Sequence, residues 1–170
     1  IKSSFEFLIT KLSDYEKIRP MHIGHGDLCF NNILVDPIYG KIKIIDPKGN
    51  IHKKLGFYGV MDNFYDLAKL NHSFEGLYDS VVNNLFRLII LKDKEFRLEI
   101  FKPSSYEKMN FYFSEKILDE RISKSDLSLL TSNLFLSMLP LHLDSQYRVI
   151  ALSIIGSLYL YGHKLEKIFL

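Results

Sequence analysis

Apolar residues recur at helical spacing in the first segment of the chain. Phe5, Leu8, Ile9 and Leu12 are predicted to share one face of a helix, because an α-helix turns once every 3.6 residues. Pro20 is expected to end this helix, since the residue before a proline avoids helical angles. The chain is therefore predicted to begin with one amphipathic helix.

Two β-prone runs around a turn indicate a hairpin after this helix. Residues 33–35 are apolar, residues 36–40 have turn composition, and residues 41–45 alternate between polar and apolar. We expect a hairpin with a five-residue connection, in which Ile42 and Ile44 share a face. Pro47 is expected to end its second strand.

The rest of the chain is predicted to be mainly helical. Helix is expected from Met61 onward, and later over residues 105–122, 125–139 and 145–164. Residues 86–101 are ambiguous, because their alternation suggests a second hairpin while a helix is also allowed as far as Leu91. The sequence thus predicts an α+β fold, mostly helical, with small β hairpins.

The composition is typical of a globular domain. The 170 residues fit a single domain, 47% of them are hydrophobic, and 25% are charged. A net charge of +2 is too small to indicate nucleic acid or a membrane surface as a partner. The most apolar stretch, residues 149–161, is too short for a membrane span. The single cysteine, Cys29, excludes an intramolecular disulfide and fits a reducing compartment, so we expect a cytoplasmic protein.

The main candidate for chemistry is the segment His-Gly-Asp-Leu-Cys-Phe-Asn-Asn at residues 25–32, together with Asp46. Asp27 precedes the first hairpin strand, Asn32 begins that strand, and Asp46 follows the second. A hairpin brings the end of its second strand beside the start of its first, so Asn32 and Asp46 are expected to be neighbours. Two such oxygen ligands suit Mg²⁺, and a nearby carboxylate can orient an attacking hydroxyl. These are the requirements of phosphoryl transfer.

These motifs resemble the catalytic and metal-binding loops of aminoglycoside phosphotransferases and of choline or ethanolamine kinases, whose fold is similar to that of protein kinases. The resemblance implies a kinase-like C-terminal lobe over residues 1–170, with Asp27 as the catalytic aspartate. It also implies that His25 braces the catalytic loop, and that Asn32 and Asp46 hold Mg²⁺. ATP would be the phosphate donor, and the acceptor would be a hydroxyl of an amino alcohol, a sugar or a polysaccharide precursor.

Further positions extend the resemblance, which covers residues 21–79. Asp66, within Tyr-Asp-Leu-Ala at residues 65–68, would tie the next helix back to the catalytic loop. The longer forms Asp-Pro-Lys-Gly and Asp-Leu-Ala-Lys-Leu, at residues 46–49 and 66–70, resemble bacterial kinase-like domains found near capsule and surface-polysaccharide genes. Additional candidates are Lys48, for phosphate or acceptor, and His142 and Asp144, for acceptor.

One departure from the family concerns the nucleotide. No glycine-rich phosphate loop and no strand-borne lysine precede His25, so the N-terminal lobe that clamps the nucleotide is expected to be missing from this sequence. Residues 1–170 alone are therefore expected to bind ATP–Mg²⁺ weakly and to transfer phosphate negligibly. Two alternatives stay open: a non-catalytic kinase-like binding module, and a metal-dependent hydrolase that uses His22, His25 and Asp27.

Overall fold

The computed structural model describes residues 2–15, 21–48, 59–62, 64–91, 95–117 and 121–162. This part of the chain is an α+β protein with 54% helix, six helices and three small two-stranded antiparallel sheets. The helices are α1 (Lys2–Tyr15), α2 (Tyr65–Phe74), α3 (Tyr78–Val82), α4 (Tyr106–Tyr112), α5 (Lys124–Ser137) and α6 (Gln146–Leu160). The strands are β1 (Met21–Ile23), β2 (Ile33–Asp36), β3 (Lys41–Ile44), β4 (Val60–Asp62), β5 (Phe86–Ile90) and β6 (Phe96–Ile100).

Each sheet is a single antiparallel pair. Strand β1 pairs with β4, β2 with β3, and β5 with β6. The predicted β2–β3 hairpin is present, but its connection is residues 37–40 and not 36–40, because Asp36 pairs with Lys41. The Asp36 carboxylate accepts hydrogen bonds from the backbone N–H groups of Ile38 and Tyr39, which stabilises the turn.

Helices α5 and α6 form the centre of the main hydrophobic core. Phe135 on α5 and Ile155 on α6 are both fully buried. The two helices approach closely at Gly156, where an added Cβ would lie 2.9 Å from side-chain atoms of Leu136. The Ser132 hydroxyl donates to the Gly156 carbonyl across the same contact (2.8 Å). This helix pair is the base on which α1, α2, α3 and the β5–β6 hairpin pack.

The helical prediction from Met61 onward is wrong at its start. Residues Val60–Asp62 form β4, which pairs with β1, and the helix begins only at Tyr65. Met61 is 2% exposed, and a short buried apolar run does not reveal from sequence whether it is strand or helix. In the ambiguous stretch 86–101, the hairpin alternative is the one observed.

The later helices follow the predicted order with different ends. Helix α4 is followed by a π-helical turn at Phe113–Ile117, and α5 by a 3-10 turn at Leu139–His142 that contains Pro140. The predicted helix end near Pro20 lies outside the described residues. The predicted extension of the last helix to residue 164 is wrong, because α6 ends at Leu160 and residues 161–162 form a turn. None of the helices in the described ranges is long and apolar enough to cross a membrane.

His72 on α2 is an unusual member of the core. Its side chain is 0% exposed, and its ring lies 4.1 Å, between ring centroids, from both Tyr78 and Phe135. Neither ring nitrogen has a hydrogen-bond partner among the described residues. Burial first, and then the charges of Lys69 and His142, hold the pKa of His72 well below its ordinary value of 6.5. His72 is therefore neutral in the folded protein.

Replacing His72 with leucine should make the free energy of unfolding less dependent on pH. Below pH 6.5 the unfolded chain binds a proton at His72 that the folded chain rejects, so the wild type loses stability as the pH falls. The loss is about 1.4 kcal/mol per pH unit, or roughly 2 kcal/mol between pH 6.5 and pH 5. Urea unfolding at pH 7.5 and pH 5 should show this loss reduced in His72→Leu. Substitution of exposed His22 by leucine is the control; an equal reduction there would contradict the assignment.

Candidate active site

The candidate site is built on the loop between β1 and β2, whose backbone is held from two sides. The Asp66 carboxylate, in the first turn of α2, accepts hydrogen bonds from the backbone N–H groups of His25 (2.6 Å) and Gly26 (2.8 Å). On the other side, the Lys48 N–H donates to the His25 carbonyl (2.8 Å). Gly26 has a φ of 79°, a conformation that glycine adopts without strain. Asp66 thus makes the contact with the loop that a brace requires.

His25 links the loop to the end of β3. Its Nδ1 accepts a hydrogen bond from the Asp27 N–H (3.3 Å), so its Nε2 carries the proton and donates to the Ile45 carbonyl (3.0 Å). Both ring nitrogens are therefore engaged within the protein. These contacts suit a residue that positions the loop, and they leave no nitrogen for a metal or a reacting group.

The Asp27 carboxylate is the centre of the charge arrangement. Its Oδ1 lies 2.9 Å from the Nζ of Lys69 on α2, and its Oδ2 lies 3.6 Å from the Nζ of Lys48. Burial opposes ionisation of Asp27, but the hydrogen bond and charge of Lys69, together with Lys48, outweigh it. The pKa of Asp27 is consequently held below its ordinary value. Asp27 is an anion at neutral pH and is 19% exposed.

Asn32 and Asp46 lie at the base of the hairpin. The Asn32 side-chain NH₂ donates to the Asp27 carbonyl (2.8 Å), which leaves its Oδ1 as the atom able to bind a cation. The Ile45 N–H donates to the Asn32 carbonyl, so Asp46 follows the residue directly opposite Asn32. Asp46 is exposed and has a φ of 57°. Asn32 ends the 3-10 turn before β2, and Asp46 lies two residues after β3, so both flank the same end of the hairpin. That their side-chain oxygens share one metal ion stays a prediction.

Asn32 and Asp46 carry an amide oxygen and a carboxylate, which are ligand types that Mg²⁺ takes. Magnesium is held by one or two protein oxygens, with waters and substrate phosphates completing its shell. Across the residues that the structure describes, no three His, Cys, Asp or Glu side chains form a group that could hold a metal ion by themselves. The hydrolase hypothesis based on His22, His25 and Asp27 has no support from the geometry, because both nitrogens of His25 are already engaged.

His142 and Asp144 make structural contacts at the start of α6. The Nε2 of His142 is 3.3 Å from the Tyr78 hydroxyl, and the Asp144 carboxylate pairs with Arg148 at 3.0 Å. Arg148 also donates to the Asn84 side chain (3.1 Å), which joins α6 to the segment between α3 and β5. Their predicted role as acceptor contacts stays a prediction.

Lys69 is the residue that sequence reasoning missed. A lysine on an amphipathic helix is normally solvated, and the motif at residues 66–70 does not indicate that Lys69 is buried. Its position three residues after Asp66 could have indicated that it also faces the loop, because residues three apart lie on the same face of a helix. Cys29 also belongs to this region: burial first, and then the Asp27 charge, raise the pKa of its thiol, which fits a packing role and not a nucleophile.

A separate cavity of about 400 Å³ lies between α1, α5 and α6. Phe7, Tyr15, Leu129 and Tyr159 contribute apolar surface to it, and Lys11 is among the charged residues at its wall. Asp27, Asn32, Asp46, Lys48 and Lys69 are not among the residues that line it.

Comparison with known proteins adds no family assignment. The chain matches no protein-family model, and searches of curated proteins and of solved structures found no match either. Function is therefore inferred from the residues and their contacts.

Replacing Asp66 with asparagine should loosen the loop. An amide has one acceptor oxygen where the carboxylate has two, and its NH₂ would face a backbone N–H. Hydrogen bonds to charged groups contribute about 1.5–3 kcal/mol, so the free energy of unfolding should fall by roughly that amount. Amide hydrogen exchange at His25 and Gly26 should accelerate.

Asp36→Asn is the matched control for this change. Asp36 also accepts two backbone N–H bonds, but in the exposed hairpin turn. Exchange at His25 and Gly26 should be unaffected by it. Unchanged exchange at these two amides in Asp66→Asn would show that Asp66 does not hold the loop.

Proposed function

We propose that this chain is the catalytic lobe of an ATP- and Mg²⁺-dependent phosphotransferase, with a kinase-like fold, that acts on a hydroxyl of a small molecule. The observation that carries the proposal is the Asp27 carboxylate, held ionised and partly exposed on a braced loop. Asn32 is bonded to the backbone of Asp27 itself, and Asp46 lies at the adjoining strand end. A fixed anion beside two oxygen donors is the arrangement that phosphoryl transfer requires.

Asp27 would orient the acceptor. The acceptor hydroxyl donates a hydrogen bond to Oδ2 of Asp27 and directs its oxygen at the γ-phosphorus of ATP. As the new oxygen–phosphorus bond forms, the bond from the γ-phosphorus to the β–γ bridging oxygen breaks, and ADP leaves with that oxygen. The hydroxyl proton passes to Asp27 and then to water. The lowered pKa of Asp27 favours this release and restores the carboxylate.

Asn32 and Asp46 are the residues that would hold Mg²⁺, through one amide oxygen and one carboxylate. The metal would neutralise phosphate charge and align the nucleotide for in-line transfer. Asp46 is exposed, and its left-handed backbone conformation is one that aspartate and asparagine tolerate better than other residues with a side chain. The carboxylate is thus accessible to phosphate-bound metal.

Lys48 would supply a second, mobile positive charge. Its side chain is 54% exposed and lies 3.6 Å from Asp27, on the open side of the carboxylate. An exposed ammonium of this kind can turn toward an incoming phosphate at little cost. The remaining nucleotide contacts would come from the clamping lobe that the resemblance implies. The acceptor classes that fit are amino alcohols, sugars and polysaccharide precursors.

Replacing Asp27 with asparagine in the intact protein should abolish most of the activity. Loss of an acceptor-orienting carboxylate lowers kcat about 10²–10⁴-fold, whereas KM for ATP should change little, because Asp27 does not hold the nucleotide. ADP formation in the presence of a panel of amino alcohols and sugars, with ³¹P NMR of the products, measures this. Asp36→Asn is the control and should retain wild-type turnover. A fully active Asp27→Asn protein would remove Asp27 from the mechanism.

Replacing Asp46 with asparagine should weaken Mg²⁺-dependent nucleotide binding at least about tenfold, or 1.4 kcal/mol. The change removes one charge, while asparagine accepts the positive φ at this position, so the fold should persist. Calorimetric titration of ATP with and without Mg²⁺ separates the metal contribution. An affinity in Mg²⁺ equal to that of the wild type would place the metal elsewhere.

A further inference from the structure

Lys69 is a buried cation on the catalytic side of α2. Its side chain is 5% exposed, and lysine is almost never so deeply buried unless its charge is paired. The pairing is with Oδ1 of Asp27 at 2.9 Å, across 42 residues of chain. The aliphatic stem and the ammonium are both withdrawn from solvent, so Lys69 cannot serve as a surface charge.

Asp66 and Lys69 together let α2 hold the loop at two levels. They are three residues apart, and so they lie on the same face of the helix. Asp66 holds the backbone of residues 25 and 26, and Lys69 holds the side chain of the next residue, Asp27. Position and orientation of the carboxylate are therefore set by one rigid element.

The two oxygens of Asp27 have unequal surroundings. Oδ1 faces the buried ammonium of Lys69, whereas Oδ2 faces the exposed ammonium of Lys48 at the longer distance of 3.6 Å. A buried ion pair is hard to separate, because removing either partner leaves an unpaired charge out of water. An exposed pair exchanges readily with solvent or ligand. Oδ2 is therefore the oxygen that can more readily exchange its partner for an arriving hydroxyl.

We propose that Lys69 is a positioning residue for phosphoryl transfer: its ammonium fixes Oδ1 of Asp27, so that Oδ2 alone is presented to the acceptor hydroxyl. This inference rests on the proposed function. Misplacement of a reacting group by about 1 Å can cost around 10²-fold in rate, which sets the scale of the expected effect. Lys48 does not position Asp27 in this way, because it contacts Oδ2, the oxygen that must become free to accept from the acceptor hydroxyl.

Lys69 influences ionisable groups other than Asp27. The Lys69 charge also acts on Asp79 of α3, whose carboxyl pKa is raised by burial, on Cys29 of the loop and on His72 of its own helix. A readout specific to Asp27 is therefore needed. Carbon-13 NMR of aspartate side-chain carboxyls resolves Asp27 from Asp79 and is independent of any turnover.

The test compares Lys69→Met, which keeps length and removes charge, with Lys69→Arg, which keeps charge. In Lys69→Met the Asp27 carboxyl should titrate at higher pH than in the wild type, and kcat should fall about 10–100-fold with KM for ATP unchanged. The acid limb of the kcat profile should move in the same direction. Lys69→Arg should retain the wild-type titration and recover part of kcat. Lys48→Met, the matched control, should lower kcat less than Lys69→Met.

A double variant keeps the test decisive if Lys69→Met folds poorly. In Asp27→Asn the Lys69→Met change removes a buried charge that no longer has a partner, so it should restore stability and cause no further loss of kcat. Equal loss in both backgrounds, or an Asp27 titration unaffected by Lys69→Met, would overturn the proposal. If the wild type transferred no phosphate to any acceptor, the proposed function would fail. The NMR titration would still report separately whether Lys69 controls Asp27.

Discussion

The two hydrogen bonds from the Asp66 carboxylate to the backbone of His25 and Gly26 set the position of the candidate site. Because Asp66 opens α2, the loop takes its place from a helix that is itself fixed in the core. The Asn71 side chain of α2 donates to the Thr131 hydroxyl of α5 (3.1 Å), within a buried contact. A carboxylate on a loop can thus be held as firmly as one on a helix, which is what a pre-organised site requires.

The hairpin gives the other half of the site less support. Strands β2 and β3 form an isolated pair, and Val35 and Ile42 are 63% and 68% exposed. Two-stranded ribbons are marginally stable alone. The hairpin is joined to the loop through His25, whose ring donates to the Ile45 carbonyl and whose own carbonyl accepts from the Lys48 N–H. The Asn32 side chain adds a hydrogen bond to the Asp27 carbonyl. If Asn32 and Asp46 hold Mg²⁺ as proposed, bound metal and phosphate would stabilise the hairpin more than the loop that carries Asp27.

The parts of the fold that depend on local chemistry could be predicted from the sequence. The β2–β3 hairpin follows from turn residues between β-prone runs, and the placement of Asn32 and Asp46 follows from the hairpin. The pairing of β1 with β4 could not be predicted, because it joins segments about 40 residues apart through only three residues on each side. The sequence therefore predicts helix at Met61, which lies in β4 in the structure.

The roles of individual side chains were harder to predict from the sequence than the helices and strands. The burial of Lys69 could not be predicted, because it depends on the tertiary contact between the loop and α2, and no local sequence pattern indicates that contact. His142 and Asp144 are acceptor candidates from the sequence because they lie between the last two predicted helices. In the structure they are bonded to Tyr78 and Arg148, and their role as acceptor contacts stays a prediction. Polar residues near a predicted site are often used in packing, and only their contacts distinguish the two uses.

We propose that Asp27, Asn32 and Asp46 form one phosphoryl-transfer site. The decisive experiment is a crystal structure of the intact protein with Mg²⁺ and a non-hydrolysable ATP analogue. We expect Mg²⁺ bound by side-chain oxygens of Asn32 and Asp46 at about 2.1 Å, with the γ-phosphate facing Oδ2 of Asp27. Nucleotide and metal bound elsewhere, with these three side chains contacting neither, would contradict it.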